Sequence, residues 1–350
     1  MSSAPHFALD RQEETVTNLP SPYLLFLGDT TEAGYAKTAF GLRDWAPDRC
    51  VGEYVMPGGS VSTGLPQLDF AQAVDKGARG LVIGVANAGG VIPDEWVNAL
   101  VKALDAGLDI IAGMHMKLNA DPRLAEAARR SGRKLIDVRT PPPAIPVASG
   151  RRRSGRRLLT VGTDCALGKK YTALAIARGL RTRGVDAQFR ATGQTGIMIA
   201  GTGIPLDAVV ADFIAGAAEL LSPDAHPDHL DVIEGQGSLF HPAYAGVTLG
   251  LLHGSQPDMF IVCDAPHRAT ILGSPGFRLP TIEAVIEQTI SLGRTTNPDI
   301  RCVGVSLNTS GMPEDEADAL CVALERRVAL PVADPMRVNP RFDRLLDACQ

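Results

Sequence analysis

One segment, residues 158–172, restricts the possible folds of this chain more than any other. It reads LLTVGTDCALGKKYT, which predicts a buried strand, a loop from Gly162 to Gly168 and a helix that begins at Lys169. Glycines allow backbone conformations and close approaches that a Cβ would block. Consecutive N–H groups and the positive helix end can then face an anion, with Lys169 as the point charge for a phosphate. The segment therefore predicts a phosphate-binding loop.

The loop departs from the usual pattern at two positions. Five residues, rather than four, separate Gly162 from Gly168, and in this the loop resembles the GTD…GK loops of dethiobiotin synthetase. The position after Lys169, where a hydroxyl normally binds Mg²⁺, holds Lys170, and the nearest hydroxyl, Thr172, points to another part of the helix. We therefore expect a loop that binds phosphates but is not built to cleave a nucleotide. A glycine-rich turn without a ligand is the alternative.

The rest of the chain alternates short apolar segments with helical ones, a pattern typical of parallel sheets that are covered on both faces. Because 350 residues exceed most single cores, two domains are expected. We predict an arm over 1–20, a Rossmann-like domain over 21–140, a Pro- and Arg-rich linker over 141–157 and a P-loop NTPase-like domain over 158–350. The fold class is thus α/β, with one parallel sheet in each domain.

Five arginines lie between Arg151 and Arg157, directly before the predicted loop. We interpret them as a solvated, flexible run, with an anion clamp beside the loop as the alternative.

Charge and composition exclude several classes of function. A net charge of −5 argues against a surface for nucleic acid, and the six cysteines are scattered without paired spacing, as in a reducing cytoplasm. Neither an export signal nor an apolar run long enough to span a membrane is evident. Since no clustered ligand pattern is seen, we predict no metal site. We expect a cytoplasmic protein that forms a homo-oligomer and binds small molecules.

Polar side chains follow several predicted strands, at the carboxyl edge where such folds bind phosphates. Glu234 ends an apolar strand and is a candidate metal ligand or base. His267 follows another strand and is a candidate proton carrier, with a surface role as the alternative. Gln194 and Thr195 lie in a predicted glycine-rich loop over 192–203, which either wraps a ligand or is a flexible connector. Asn308 is placed to bond a nucleobase.

Four segments give the chain a family resemblance. They read GTDCALGKKYTA, ATGQTG, EGQGSLFHPAY and CDAPHR. They resemble a bacterial P-loop-fold family, first catalogued as a domain of unknown function, whose members carry an N-terminal Rossmann-like domain. At least one branch of that family consists of D-glutamate N-acetyltransferases that use acetyl-CoA. The resemblance covers about residues 20–350.

The resemblance implies an acyltransferase in which the loop binds the phosphates of coenzyme A, without a metal. The amine of D-glutamate would attack the acetyl thioester, with Glu234 as the first candidate base and His267 as the second. Arg190 and Arg268 are candidate clamps for the substrate carboxylates, because Arg binds a carboxylate bidentately. The other implied substrate-binding residues are Gln194, Thr195 and Gln236. The implied cofactor-binding residues are Gly162, Thr163, Asp164, Cys165, Ala166, Leu167, Gly168, Lys169, Lys170, Tyr171 and Asn308.

Two other functions remain open from the residues. An enzyme of the dethiobiotin synthetase type would use the same loop with ATP and Mg²⁺ to activate a carboxylate, and Glu234 and Asp164 would then hold the metal. A non-catalytic nucleotide-binding protein is the third possibility. A binding assay separates the three functions. The acetyltransferase should bind coenzyme A, the carboxylate-activating enzyme should bind ATP only with Mg²⁺, and the third should bind a nucleotide without turnover.

Overall fold

The structure, a computed structural model, describes residues 17–85, 90–266, 268–337 and 339–350. Its strands are β1 Thr17–Asn18, β2 Tyr23–Gly28, β3 Cys50–Val55, β4 Gly80–Ile83, β5 Asp109–Ala112, β6 Leu135–Asp137, β7 Arg156–Gly162, β8 Ala187–Arg190, β9 Thr202–Gly203, β10 Leu230–Ile233, β11 Met259–Asp264, β12 Thr270–Ile271, β13 Ser274–Arg278, β14 Arg301–Leu307 and β15 Val332–Ala333. Its α-helices are α1 Lys37–Trp45, α2 Phe70–Asp75, α3 Asp94–Ala106, α4 Pro122–Ser131, α5 Lys169–Thr182, α6 Gln194–Ala200, α7 Ile214–Leu221, α8 Ala245–Ser255, α9 Ile282–Gly293, α10 Glu314–Val328 and α11 Pro340–Asp347.

The chain divides into two compact units, and both confirm the α/β class. The first comprises the described residues of 16–142 together with Gln194–Ala208. Its five strands form a sheet in the order β3-β2-β4-β5-β6, and every pairing is parallel. All six residues of β2 are buried, as expected for a strand covered on both faces.

The segment Gln194–Ala200 corrects the loop that we predicted over 192–203. It forms helix α6, with Gly196, Ile197, Met198 and Ile199 buried, and it belongs to the first unit although the sequence analysis placed it in the second domain. The Thr195 hydroxyl lies 3.1 Å from that of Thr38 on α1. Burial of the apolar residues at 197–199 outweighs the low helix propensity of the surrounding glycines, which had suggested a loop.

The second unit comprises residues 143–193 and 209–350, and its six-stranded parallel sheet has the order β15-β14-β11-β7-β10-β8. Strand β7 lies in the interior of this sheet, between β10 and β11. The segment after β7 therefore emerges at the carboxyl edge with a strand end on either side, and helix α5 follows it. The ends of β10 and β11 lie on either side of that segment.

The arginine run is the second correction. Arg153 and Arg157 are 7% and 3% exposed, whereas Arg151 and Arg152 are exposed, so the run is solvated only in part. The Arg153 guanidinium donates to the backbone carbonyls of Ser222 and Gly254 at 2.7 and 2.8 Å. Burial lowers the pKa of Arg153 to about 10. Arg153 thus binds the segment before β7 to the rest of the second unit.

No helix among the described residues is both long and apolar enough to cross a membrane.

Candidate functional site

The segment between β7 and α5 is a tightly turned loop that leads directly into a helix start. Ala166 and Gly168 both take left-handed conformations, with φ of +54° and +109°. Gly162 passes so close to β11 that a Cβ there would lie 2.9 Å from the Cys263 carbonyl oxygen. Gly168 caps α5, and the first N–H groups of that helix follow it. The predicted strand–loop–helix order is thus present.

Lys169 is folded into the loop. Its side chain is buried, and its Nζ donates to the backbone oxygen of Asp164 at 2.7 Å. Burial lowers the pKa of the Lys169 ammonium. Gly235, in the turn after β10, packs on the same side chain, since a Cβ there would lie 3.1 Å from Lys169 Cδ. An ammonium with few surrounding water molecules interacts strongly with an anion that enters the loop.

Asp164 is the centre of the hydrogen bonds that shape the loop, and its side chain is fully buried. Its Oδ1 accepts from the N–H of Cys165 at 2.6 Å. Its Oδ2 accepts from the Arg268 guanidinium at 2.9 Å and from the N–H of Leu272 at 2.7 Å. Arg268 also donates to the carbonyl of Cys165, at 2.9 Å. Asp164, Cys165 and Arg268, all predicted from sequence to lie at the site, are therefore in contact.

The start of the loop is attached to the end of β11. Thr163 donates through its N–H to the Cys263 carbonyl at 3.1 Å and through its hydroxyl to Asp264 at 2.5 Å. The N–H of Asn308 donates to the Asp264 carbonyl at 2.8 Å, which places Asn308 beside the same edge. The Asn308 side chain is exposed and accepts from the hydroxyl of Ser310 at 2.7 Å.

The position that normally supplies the metal-binding hydroxyl holds Lys170 in this chain. Lys170 lies 4.4 Å from the ring centroid of Tyr171. Thr172 is buried, and its hydroxyl lies 2.7 Å from that of Ser306 on β14. Thr172 therefore links α5 to the sheet and does not replace the missing hydroxyl.

Glu234 lies at the end of β10, is 4% exposed and orients the turn after β8. Its Oε2 accepts from the N–H groups of Thr192 and Gly193, both at 3.0 Å. The amide of Gln236 donates to the Thr192 hydroxyl at 2.9 Å. Two predicted residues, Glu234 and Gln236, thus hold the same turn.

The last four predicted site residues are Arg190, Gln194, Thr195 and His267. The Arg190 guanidinium donates to the buried carboxylate of Asp231 at 2.5 Å. Gln194 and Thr195 lie on α6, in the first unit, where Gln194 packs on Gly113. His267 lies outside the described residues.

Asp164, Cys165 and His241 offer possible metal ligands within 4.8 Å of one another. Both carboxylate oxygens of Asp164 already accept N–H donors. The N–H of Ala243 donates to His241 Nδ1 at 3.1 Å, so a neutral ring carries its proton on Nε2, the atom that faces Asp164 at 3.9 Å. Burial also raises the pKa of the Cys165 thiol. These groups therefore suit the hydrogen-bonded core of the loop better than a cation.

Sequence reasoning missed the hairpin of β12 and β13, which supplies the N–H of Leu272. The Leu272-Gly273 turn between two short segments is a signal that could have indicated it. It also missed Asp264 as the partner of Thr163.

Comparisons with known proteins agree with this architecture. Residues 146–346 match the model of a domain of unknown function described as the DUF1611_C P-loop domain. Residues 49–141 match the DUF1611_N Rossmann-like domain. A crystal structure of a DUF1611 family protein from Anabaena variabilis superposes with a TM-score of 0.82 at 33% identity, covering 94% of this chain and 98% of that one.

Two curated relatives have a named activity. A D-glutamate N-acetyltransferase from Tritonibacter scottomollicae is 48% identical over 330 residues, which are 94% of this chain and 98% of the relative. A D-glutamate N-acetyltransferase from a Pseudoalteromonas species is 45% identical over 316 residues, 90% of this chain and 95% of the relative.

Proposed function

The chain belongs to the DUF1611 family, and we propose that it is an N-acetyltransferase that moves an acetyl group from acetyl-CoA to the amine of D-glutamate. The main support is the identity of 45–48% with two relatives that carry this name, over nearly the whole of each protein. The expected homo-oligomer and cytoplasmic location stay predictions.

The loop from Gly162 to Lys169 is our proposed site for the phosphates of coenzyme A. The left-handed Ala166 and Gly168, the start of α5 and the buried Lys169 ammonium are the elements that bind phosphate in such loops. Lys170 replaces the usual hydroxyl ligand of Mg²⁺, and the Thr172 hydroxyl is hydrogen-bonded to that of Ser306. A loop of this kind fits a nucleotide that is held by its phosphates and reacts at its far end.

The reaction requires a neutral amine at the acetyl carbonyl. A base removes one ammonium proton of D-glutamate, the amine nitrogen forms a bond to the carbonyl carbon, and the carbon–sulfur bond breaks. The nitrogen gives up its second proton as the amide forms, and a proton reaches the thiolate sulfur, so coenzyme A leaves as the free thiol. Glu234 remains our first candidate base, because N–H groups of Thr192 and Gly193 fix its carboxylate at a strand end. The carboxylate-clamp role of Arg190 also stays a prediction, whereas the Arg268 guanidinium is already engaged with Asp164 and the Cys165 carbonyl.

One assay tests this function against the alternatives. The purified protein is mixed with acetyl-CoA and D-glutamate, and thiol release and the N-acetylated product are measured. L-Glutamate and a reaction without amino acid are the controls, and ATP with Mg²⁺ is supplied in a parallel series. The proposal expects D-glutamate-dependent thiol release without ATP. Product formation only with ATP and Mg²⁺ would support the carboxylate-activating alternative.

A further inference from the structure

The hairpin of β12 and β13 is connected to the phosphate loop through a single carboxylate. Asp164 Oδ2 accepts from Arg268, just before β12, and from the N–H of Leu272, in the turn of the hairpin. Its other oxygen accepts from the N–H of Cys165 within the loop. Asp164 therefore bridges two segments that are about a hundred residues apart in sequence, since Arg268 follows it by 104 positions.

The charge of Asp164 makes this connection necessary. A fully buried carboxylate next to a phosphate site would repel the ligand, and a buried charge without a partner is strongly unfavourable. Arg268 supplies the opposite charge at 2.9 Å. The same guanidinium nitrogen donates to the Cys165 carbonyl, so it fixes the backbone of the loop as well as its side chain.

We infer that Arg268 is a positioning residue for the phosphate loop: it neutralises Asp164 and holds the loop in its anion-binding shape. This assigns Arg268 to the coenzyme side of the reaction, whereas the sequence analysis expected it to clamp a substrate carboxylate. The effect on coenzyme A rests on the proposed function, and the effect on the loop itself does not.

The first experiment separates the two roles. Arg268→Gln removes the charge, and we expect it to weaken coenzyme A binding in calorimetry by about tenfold to a hundredfold. At saturating acetyl-CoA, the KM for D-glutamate should stay within about twofold of the wild type. Arg278→Gln, which removes an exposed charge from β13 opposite Thr270, is the matched control and should change neither value. A raised KM for D-glutamate with unchanged coenzyme A affinity would overturn the inference.

Asp164→Asn and the double variant test the pair itself. If Arg268 acts through Asp164, the double variant should lose hardly more coenzyme A affinity than either single variant, because the partners are coupled. Arg268→Lys keeps a positive charge, so it should bind coenzyme A more tightly than Arg268→Gln but less tightly than the wild type. It takes the place of Arg268→Gln in these measurements if that variant does not fold. Additive losses in the double variant contradict a role through Asp164.

Hydrogen exchange of the ligand-free proteins gives a readout that needs no coenzyme. The N–H groups of residues 163–168 should exchange faster in Arg268→Gln than in the wild type or in Arg278→Gln. Unchanged exchange in this loop would refute the inference whatever the protein binds. If Arg268→Gln exchanges faster but the wild type binds no coenzyme A, the inference about the loop is supported and the proposed function is refuted.

Discussion

Replacing Lys169 with methionine tests the phosphate loop most directly. Methionine keeps most of the buried apolar stem and removes the ammonium. In the structure that ammonium donates to the Asp164 carbonyl at 2.7 Å, and an ammonium has three N–H donors, so two remain for a phosphate. The substitution should therefore remove a binding interaction while leaving the packing around α5 largely intact.

The magnitude follows from the contacts. A hydrogen bond to a charged group contributes about 1.5–3 kcal/mol, so coenzyme A affinity should fall by about tenfold to 150-fold. The free energy of unfolding should change little, because two effects oppose each other. The Asp164 carbonyl loses a donor, at a cost of about 1–3 kcal/mol, whereas removal of a buried charge relieves a desolvation penalty of similar order.

The assay is calorimetric titration of coenzyme A, with thermal unfolding measured on the same samples. Arg181→Gln is the control, since it removes an exposed charge from the same helix about 18 Å from Lys169. Burial lowers the pKa of the Lys169 ammonium, so this group loses its charge at a lower pH than an ordinary lysine does. As the pH rises, the coenzyme A affinity of the wild type should therefore fall at that lower pH. Lys169→Arg should lack that loss. Unchanged affinity in a folded Lys169→Met protein would refute phosphate binding at this loop.

Three further predictions concern the catalytic base, the need for a metal and the buried Arg153. Glu234→Gln should lower kcat by about 10²–10⁴-fold while coenzyme A binding persists. If Glu234→Gln keeps a near-normal kcat and His267→Gln loses activity, the base is His267. Acetylation should continue in excess EDTA. If EDTA abolishes the activity and added Mg²⁺ restores it, the prediction that the loop works without a metal is contradicted. Arg153→Ala should lower the free energy of unfolding by about 3 kcal/mol in chemical denaturation, because buried carbonyls lose their donor. Arg151→Ala, which removes an exposed side chain, should change it by less than about 0.5 kcal/mol, and equal losses in the two variants would contradict the burial argument.

Local pattern was sufficient for the strand, loop and helix around Lys169. The glycines, the apolar strand and the helix start are all close in sequence, and each has a conformational preference of its own. The same holds for most strands of both sheets, whose apolar runs are buried as predicted. Helix α6 was missed because its glycines favour a loop locally, whereas the buried residues at 197–199 stabilise a helix only once they pack.

By itself, the sequence determined that this chain contains a strand–loop–helix segment of the P-loop type within an α/β fold and that Lys170 stands where a metal ligand usually lies. Tertiary structure alone decided which charges are paired. Asp164 and Arg268 are 104 positions apart, and Arg153 reaches carbonyls that are 69 and 101 positions away. Neighbouring residues do not encode such partners, because burial and Coulomb attraction depend on distance in space and not along the chain.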